Sequence, residues 1–594
     1  MVSREDARAA LRRRRQDRHG ADLGSDGEPR QGRLEAAVQP HVRRVHRPRP
    51  AAAHHRRDDP RGEAAPHQPG QPAARRGELR ALPPDRHGRD ADARPPVIRP
   101  DGRQRHPVSP ACAKLPSVTE ALPRSQGGVA TPALSAAELA RLTGGRLIRS
   151  SSRPIRGGAV DSRLVEPGNL FVALPGERTD GHGFLHAAAA AGAAALVVTQ
   201  EPSAATLDAL GDVTVLAVRD GLAALGAIAA GWRSRFDPLV VGVTGSIAKT
   251  STKEAVATVL DRRYRTVRSA GNQNNEIGLP LTLLRLGPDD EAAVLEMGMY
   301  LGGEIADLAA MARPSIGVVT AVQPVHLSRI GTIEAIERAK GELVEALPPS
   351  GTAVLNADDP RVLRMAGRTA ARSLTYGLAE SADVWAERIE AGGTAGMRFV
   401  LRLPGGVRRP ASTPALGRHG VQNGLAAAAV GLAAQCTTDE ILAGLAAGWS
   451  APHRDHLVRA GDVTILDDSY NASPGSVRAA LELLSSLPAG RRVAVLGEML
   501  ELGDAHDAGH REVGGAAASV AALLVVVGDG AGAIAEGAID AGLAPDAVLR
   551  ASDADAALDV LRPRIRAGDV VLVKASRGIA LDGLVDRLVE EAGA

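Results

Sequence analysis

The chain of 594 residues carries only two cysteines, Cys112 and Cys436. That excludes a disulfide framework and a cysteine-rich metal site. Aromatic residues make up 2% of it. Stacking platforms for single-stranded nucleic acid need more of them, so no nucleic-acid partner is expected. Long apolar runs are missing too. The longest, Ala187 to Val198, is alanine-heavy, and a membrane span takes about 20 apolar residues. No apolar segment follows the N-terminal arginines, as a secretory leader would require. The expectation is a soluble cytoplasmic protein, without membrane insertion and monomeric by default. The length suggests about three or four domains.

Charge is unevenly placed. Residues 1–128 hold 27 Lys+Arg against 16 Asp+Glu, a net of +11, and half of the 16 histidines. The remainder holds 44 against 53, a net of −9. The first segment is rich in Arg, Pro and Ala and has hardly any apolar periodicity. Such a segment cannot bury enough apolar surface to offset its ordering entropy. It reads either as a disordered basic extension or as GC-rich DNA translated from a start codon placed too early. Deleting residues 1–128 is therefore expected to leave soluble protein and turnover nearly unchanged. Expression of the shortened chain checks this, and loss of folded, active protein is the opposing result.

The most informative run is GVTGSIAKTSTKE, Gly242 to Glu254. It follows a short apolar stretch and opens a predicted helix, Lys249 to Tyr264. Strand, glycine turn, then Lys-Thr at a helix start builds a phosphate cradle. Lysine adds a point charge and the adjacent hydroxyl can hold Mg²⁺. Those residues are Lys249 and Thr250, with Gly245, Ser246, Ala248 and Ser251 around them. Ala248 stands where the P-loop pattern expects glycine.

Apolar strands alternate with helices from Thr131 onward. VVGVT, AAVLEMG, SIGVVTAV and TAVLNAD are strand candidates in residues 237–451. VTILDD, VAVLG, ALLVVVG and DVVLVKAS follow in residues 452–594. Four-to-eight-residue apolar strands separated by helices argue for a mostly parallel α/β sheet. Residues 131–236 mix shorter helices and strands and form the first of three expected domains.

Further chemistry-bearing residues stand at strand ends, where open α/β sheets place ligands. Glu296 closes one strand in LEMGMYLGGEI. His326 follows another in QPVHLSRIG. Lys340 lies on the next helix, in ERAKGELVEAL. Asn356, Asp358 and Asp359 sit in LNADDP, and Asp467 and Asp468 in LDDSYNASPGS. Singly, each has a bland reading as a cap, a turn residue or an exposed helix lysine.

Together and in this order, the motifs resemble the Mur ligase family over about three-quarters of the chain. The N-terminal block AVDSRLVEPGNLFVALPGERTDGHGF is similar to the family's uridine-nucleotide domain. The centre adds SAGNQNNEIGLPLTLL, LEMG, AKGEL and LGRHGVQNGLAAAA. The last block adds LDDSYNASPGS, LGEMLELG and LVKASR. DDSYN followed by SP resembles the subgroup whose acceptor is a dipeptide.

The resemblance implies a three-domain architecture: a P-loop ATPase-like central sheet and a Rossmann-like C-terminal domain. It implies an ATP- and Mg²⁺-dependent ligase that joins D-alanyl-D-alanine to UDP-N-acetylmuramoyl-tripeptide through an acyl phosphate. Lys249 would contact the β/γ-phosphates. Thr250 and Glu296 would hold one Mg²⁺ and His326 a second. Lys340 would be carbamylated and face the metals. Gly245, Ser246, Ala248, Ser251, Asn356, Asn423, Arg454 and Asp467 would line the nucleotide. Asp161, Ser162 and Arg163 would meet the uridine nucleotide, and Asn274 and Asn275 the substrate. Asn471, Lys574 and Arg577 would lie near the dipeptide.

Several positions depart from the family's pattern: Ser328-Arg329 replaces a segment that commonly carries an acidic residue, and four single residues differ. Ala248, His453 and Ala575 replace glycines, and Gly420 replaces an asparagine. These leave two other readings open: a Mur-type amide ligase with another acceptor, or a non-catalytic nucleotide-binding paralogue. A P-loop kinase or GTPase leaves LDDSYNASP and LVKASR without a purpose.

Overall fold

The computed structural model describes residues 132–593, apart from 177–178 and 325–329. The N-terminal extension, His326, Ser328 and Arg329 therefore lie outside the described residues.

Three sheets follow one another along the chain. The first contains β1 (Arg146–Arg149), β2 (Gly158–Ala159), β3 (Leu170–Val172), β4 (Ala195–Val198) and β5 (Thr214–Ala217), ordered β1-β5-β4-β3-β2. Only β1 runs antiparallel to its neighbour. Helix α1 (Gly221–Arg233) leads out of this sheet. Asp220 caps it, its carboxylate accepting from the Leu222 and Ala223 N–H groups. Its apolar face joins the first sheet to the centre. The Trp232 indole donates to the Leu286 carbonyl (2.9 Å), and the Arg233 guanidinium to that of Ala312 (3.1 Å).

The central sheet has nine strands. They are β6 (Leu239–Thr244), β7 (Thr266–Arg268), β8 (Ala292–Glu296), β9 (Ile316–Val319), β10 (Thr352–Asn356), β11 (Arg372–Gly377), β12 (Val384–Ala391), β13 (Met397–Leu403) and β14 (Val407–Thr413). The order is β14-β13-β12-β11-β10-β9-β6-β8-β7. From β7 to β12 every neighbouring pair is parallel. The chain leaves β6 in one direction for β7 and β8, then returns on its other side for β9. That reversal makes the carboxyl end of β6 a topological switch point, where open α/β sheets bind ligands.

Helices α2 (Lys249–Leu260) and α3 (Gly417–Ala433) pack together over one face of this sheet. The shortage of aromatics shows in the contact: small residues let backbones approach. Ala426 to Ala429 are all buried in α3. A Cβ on Gly444, in the following helix, would meet the Val259 backbone at 2.7 Å.

The third sheet is β15 (His456–Ala460), β16 (Val463–Asp467), β17 (Arg491–Gly497), β18 (Leu523–Val527), β19 (Val548–Ala551) and β20 (Asp569–Lys574). The order is β15-β16-β20-β17-β18-β19, antiparallel only at β15. Helix α4 (Pro474–Ser486) crosses from β16 to β17, capped by Ser473 with proline in its first turn.

Two differences from the sequence expectation stand out. The first α2 turns are as predicted, but the helix ends at Leu260 rather than Tyr264. Tyr264 turns away, and its hydroxyl donates to the Ala434 carbonyl. The antiparallel extension β12–β14 is the second. In β13, Met397, Phe399, Leu401 and Leu403 face inward, alternating with residues left more open.

Candidate functional site

The phosphate loop follows β6 directly. Gly245 has φ 150°, and a Cβ there would come within 1.8 Å of the Thr320 hydroxyl oxygen. Glycine is required at this turn by space as well as by φ. The Ser246 hydroxyl donates to the Gln323 carbonyl and accepts from the Gln323 N–H. This ties the loop to the end of β9. Ala248 has φ 61°, ψ 5°, in the left-handed region, immediately before α2. The Lys249 ammonium folds back over the loop, donating to the Gly245 carbonyl at 2.9 Å.

Behind the loop, Thr250 on α2 donates its hydroxyl to Glu296 Oε2 at 2.8 Å. Asn274 Nδ2 donates to the other oxygen, Oε1, at 2.7 Å. Glu296 is the last residue of β8 and is 1% exposed. A carboxylate this deeply buried needs these donors. Asn275 serves locally, its side-chain oxygen capping the Gly278 N–H.

Helix α5 (Ile333–Glu345) follows the undescribed segment, with Thr332 as its cap. Apolar residues Ile336, Ala339, Leu343 and Val344 face the core, and Lys340 falls on that same stripe. Lys340 is 2% exposed. Burial, and then the like charge of Lys249, hold its ammonium well below the ordinary lysine value. It is not the solvated helix lysine of the bland reading.

On the other side of the loop lies a cavity of about 370 Å³. Ile247, Ala248, Asn356, Asp358, Tyr376 and Asn423 are among its walls. Asn356 donates to the Thr320 carbonyl (2.8 Å) and receives the Asp358 N–H. Asn423, on α3, accepts from the Thr252 hydroxyl of α2 (3.0 Å). Asp359 caps the next helix and accepts from the Val322 N–H at 2.7 Å.

A smaller cleft brings Ser251, Gly420 and Asn423 of the centre beside Arg454 and Asp455, at the start of the third-sheet region. His453 (φ 58°) and Asp455 (φ 48°) are both left-handed. His453 Nδ1 meets Asp467 Oδ2 at 2.9 Å, and the Ser469 hydroxyl donates to Asp467 Oδ1 at 2.6 Å. His419 Nε2 faces Asp455 Oδ2 at 3.1 Å. Burial pulls the His419 imidazole down, but Asp455 carries the net shift upward. The Arg454 guanidinium lies 4.0 Å from the Tyr470 ring centre, and that of Arg577 5.4 Å. Lys574, at the end of β20, donates to Asp468 Oδ2 (2.5 Å) and to the Asn471 carbonyl (3.0 Å).

Burial pushes the Asp468 carboxyl up to about 6 against the pull of Lys574. Its ionised form is thus disfavoured in the fold. That destabilisation is absent below about pH 4 and complete above about pH 6, on the order of 2–3 kcal/mol at most. Relative to Asp468→Asn, the parent protein is expected to lose thermal stability as pH rises between those values. Parallel melting curves across that range would contradict it.

Asp161, Ser162 and Arg163 sit apart from these residues, in a single turn off the first sheet. Arg163 donates to both Asp161 oxygens, at 2.9 and 2.6 Å, and mainly this holds the Asp161 carboxyl down to about 2. Sequence reasoning missed Lys253, which is fully buried on α2. Its signal was faint: one more polar residue in TSTKE, with no motif naming it.

This arrangement is that of a known family. The family model for the Mur ligase middle domain matches residues 243–431. That for the Mur ligase glutamate ligase domain matches 453–577, and that for the Mur ligase family catalytic domain matches 154–233. The chain belongs to the Mur ligase family.

Several similar relatives carry one name. The UDP-N-acetylmuramoyl-tripeptide–D-alanyl-D-alanine ligase of Mycobacterium tuberculosis is 38% identical over 500 residues, covering 77% of this chain and 98% of that protein. The ligase of the same name from Escherichia coli K12 is 40% identical over 360 residues, covering 60% and 77%. Among solved structures, MurF from Acinetobacter baumannii aligns with a TM-score of 0.69 at 29% identity, over 78% of this chain and 100% of that one. MurF ligase from Thermotoga maritima in complex with ADP gives 0.64 at 28% identity, over 74% and 98%.

Proposed function

We propose that this chain is the ATP-dependent, ADP-forming ligase that joins D-alanyl-D-alanine to UDP-N-acetylmuramoyl-tripeptide, supplying the pentapeptide precursor of peptidoglycan. The observation that carries the reading is the buried Thr250–Glu296–Asn274 set at the foot of the phosphate loop, in a chain whose full-length relatives bear that name. Residues 131–236 form the uridine-nucleotide domain, 237–451 the ATP domain and 452–594 the C-terminal α/β domain.

The loop N–H groups and Lys249 receive the ATP phosphates, and the cavity beside Asn356 and Asn423 takes the adenosine end. The tripeptide carboxylate attacks the γ-phosphorus, giving an acyl phosphate and ADP. The dipeptide amine then attacks the acyl carbon, and phosphate leaves. Such transfer needs positioning and charge neutralisation above all. Asp161, Ser162 and Arg163 hold the uridine nucleotide. Asn471, Lys574 and Arg577 orient the dipeptide. Arg454 and Asp467 bring the third domain to the nucleotide.

The donor set suits Mg²⁺. Thr250 and Glu296 offer hard oxygen atoms beside the phosphate loop. No group of three or more His, Cys, Asp or Glu among the described residues forms a metal cage. Mg²⁺ is commonly held by one or two carboxylates plus substrate phosphates, which fits so sparse a set. When bound, Mg²⁺ would neutralise charge on the phosphates. His326 and a carbamylated Lys340 complete the metal side.

No helix among the described residues is long and apolar enough to cross a membrane. We place the reaction in the cytoplasm, carried out by a monomer without nucleic acid. The test is phosphate release from ATP with UDP-N-acetylmuramoyl-tripeptide, with and without D-alanyl-D-alanine. Sustained release that needs both is expected. Activity with another amine in place of the dipeptide would give the alternative ligase, and no release at all the non-catalytic paralogue.

A further inference from the structure

Lys253 has no assigned role, yet it is among the largest fully buried side chains of the protein. A buried ammonium needs several acceptors at once. Lys253 finds them on the segment that follows β7. Its Nζ donates to the Ser269 carbonyl (2.6 Å) and the Gly271 carbonyl (3.1 Å), and lies 2.7 Å from Glu254 Oε1. Glu254 also pairs with Arg268, the last residue of β7, at 3.2 Å.

The clamped segment is the one that holds Glu296. The Ser269 hydroxyl accepts the Glu296 backbone N–H (3.2 Å). Five residues on, Asn274 donates to Glu296 Oε1. The Asn274 carbonyl accepts the Gly298 N–H (2.7 Å), so the segment grips both sides of the carboxylate's own backbone. The other oxygen, Oε2, belongs to Thr250, on the same helix as Lys253 and three residues before it. Residues at that spacing share one helix face. The contacts form a closed circuit: Thr250, Glu296, Asn274, the 269–274 segment, Lys253 and back to α2.

We propose that Lys253 is a positioning residue for the metal-facing carboxylate: it fixes the 269–274 segment so that Asn274 and Thr250 aim the two Glu296 oxygens. The proposal rests on the reading of Glu296 as a Mg²⁺ ligand. Partners behind a metal ligand commonly tune affinity by roughly 10–100-fold. A lysine serving stability alone would leave metal affinity untouched in the fraction that folds.

The test uses the full chain with ADP and Mn²⁺ as the metal probe, read by electron paramagnetic resonance without turnover. Lys253→Met is expected to weaken Mn²⁺ binding by roughly 10–100-fold. ADP affinity without metal should stay within about twofold. Asn274→Ala should weaken Mn²⁺ similarly, and the double variant should be no worse than the more severe single. Residues acting through one contact are non-additive, and independent ones add. If Lys253→Met does not fold, Lys253→Gln, which keeps one N–H donor, replaces it in the same cycle. Unchanged Mn²⁺ affinity in the Lys253 variant, or additive losses, overturns the proposal. Glu296→Gln separates the two levels: unchanged Mn²⁺ binding there removes the metal reading and this inference with it. Weakened binding there, beside an unaffected Lys253 variant, removes the inference alone.

Discussion

Lys340→Ala is expected to lose turnover by roughly a hundredfold to a thousandfold, the scale of removing one preorganised charge from an active site. A free ammonium beside bound cations would be repelled by them, at a cost on the order of several kcal/mol in a partly desolvated site. A carbamate on the same nitrogen has the opposite sign. The structure removes the premise of the bland alternative: Lys340 is 2% exposed and lies on the core face of its helix. An exposed lysine would change stability by no more than about 0.5 kcal/mol and leave kinetics alone. Short carboxylates such as formate or acetate should partly restore the variant, because they supply the missing anion without the covalent link. Phosphate release with and without the added acid reads this. A melting curve shows whether the loss is of fold or of chemistry. Near-parental turnover by a folded Lys340→Ala would remove this residue from the site.

The parts of this site that were legible are those where chemistry constrains sequence locally. Gly245 to Thr250 is one turn and one helix start, so its geometry is carried by adjacent residues. Glu296 and Asn356 were legible because each ends an apolar strand, and strand ends of parallel sheets converge. The replaced glycines were legible as departures, and all three gained a physical meaning only from the fold. Ala248 and His453 both adopt φ near 60°, the conformation glycine takes without cost. His453 is held there by the Asp467 carboxylate. Ala575 places its Cβ 2.5 Å from where a Cβ on Gly497 would stand, so it is the glycine on the neighbouring strand that leaves room for it. What stayed hidden depends on residues far apart in sequence. Lys253 acts on carbonyls 16 and 18 residues away, and carbonyls leave no trace in a sequence. The β12–β14 extension was missed for another reason. β13 alternates buried with more open positions and β14 is mostly exposed, whereas attention to continuous apolar runs selects strands buried on both faces.

Lys249→Ala is expected to abolish turnover, while its neighbour's change Ala248→Gly should improve the enzyme. The two substitutions act on different terms. The Lys249 ammonium lies over the loop, on the Gly245 carbonyl at 2.9 Å. No other described lysine sits on the loop. Removing Lys249 leaves the phosphate charge unmatched in a site that works by charge neutralisation, so a loss of at least about a thousandfold is expected. Ala248 holds a left-handed conformation. That strain, on the order of 1 kcal/mol, belongs to the fold, so relieving it is expected to appear chiefly as stability. Part of the gain is cancelled by the larger unfolded-state entropy of glycine. What remains for binding is the Cβ itself, on a residue that lines the cavity beside the loop. If it crowds the phosphates by a comparable energy, Ala248→Gly should lower the KM for ATP by up to about fivefold and leave kcat nearly unchanged. Initial rates over a range of ATP concentrations, with melting curves of both variants, separate the terms. A higher melting temperature with unchanged KM would assign Ala248 to backbone strain alone. Parental turnover by Lys249→Ala would sink the ligase reading itself, since phosphoryl transfer depends on neutralising the phosphate charge that this cation faces.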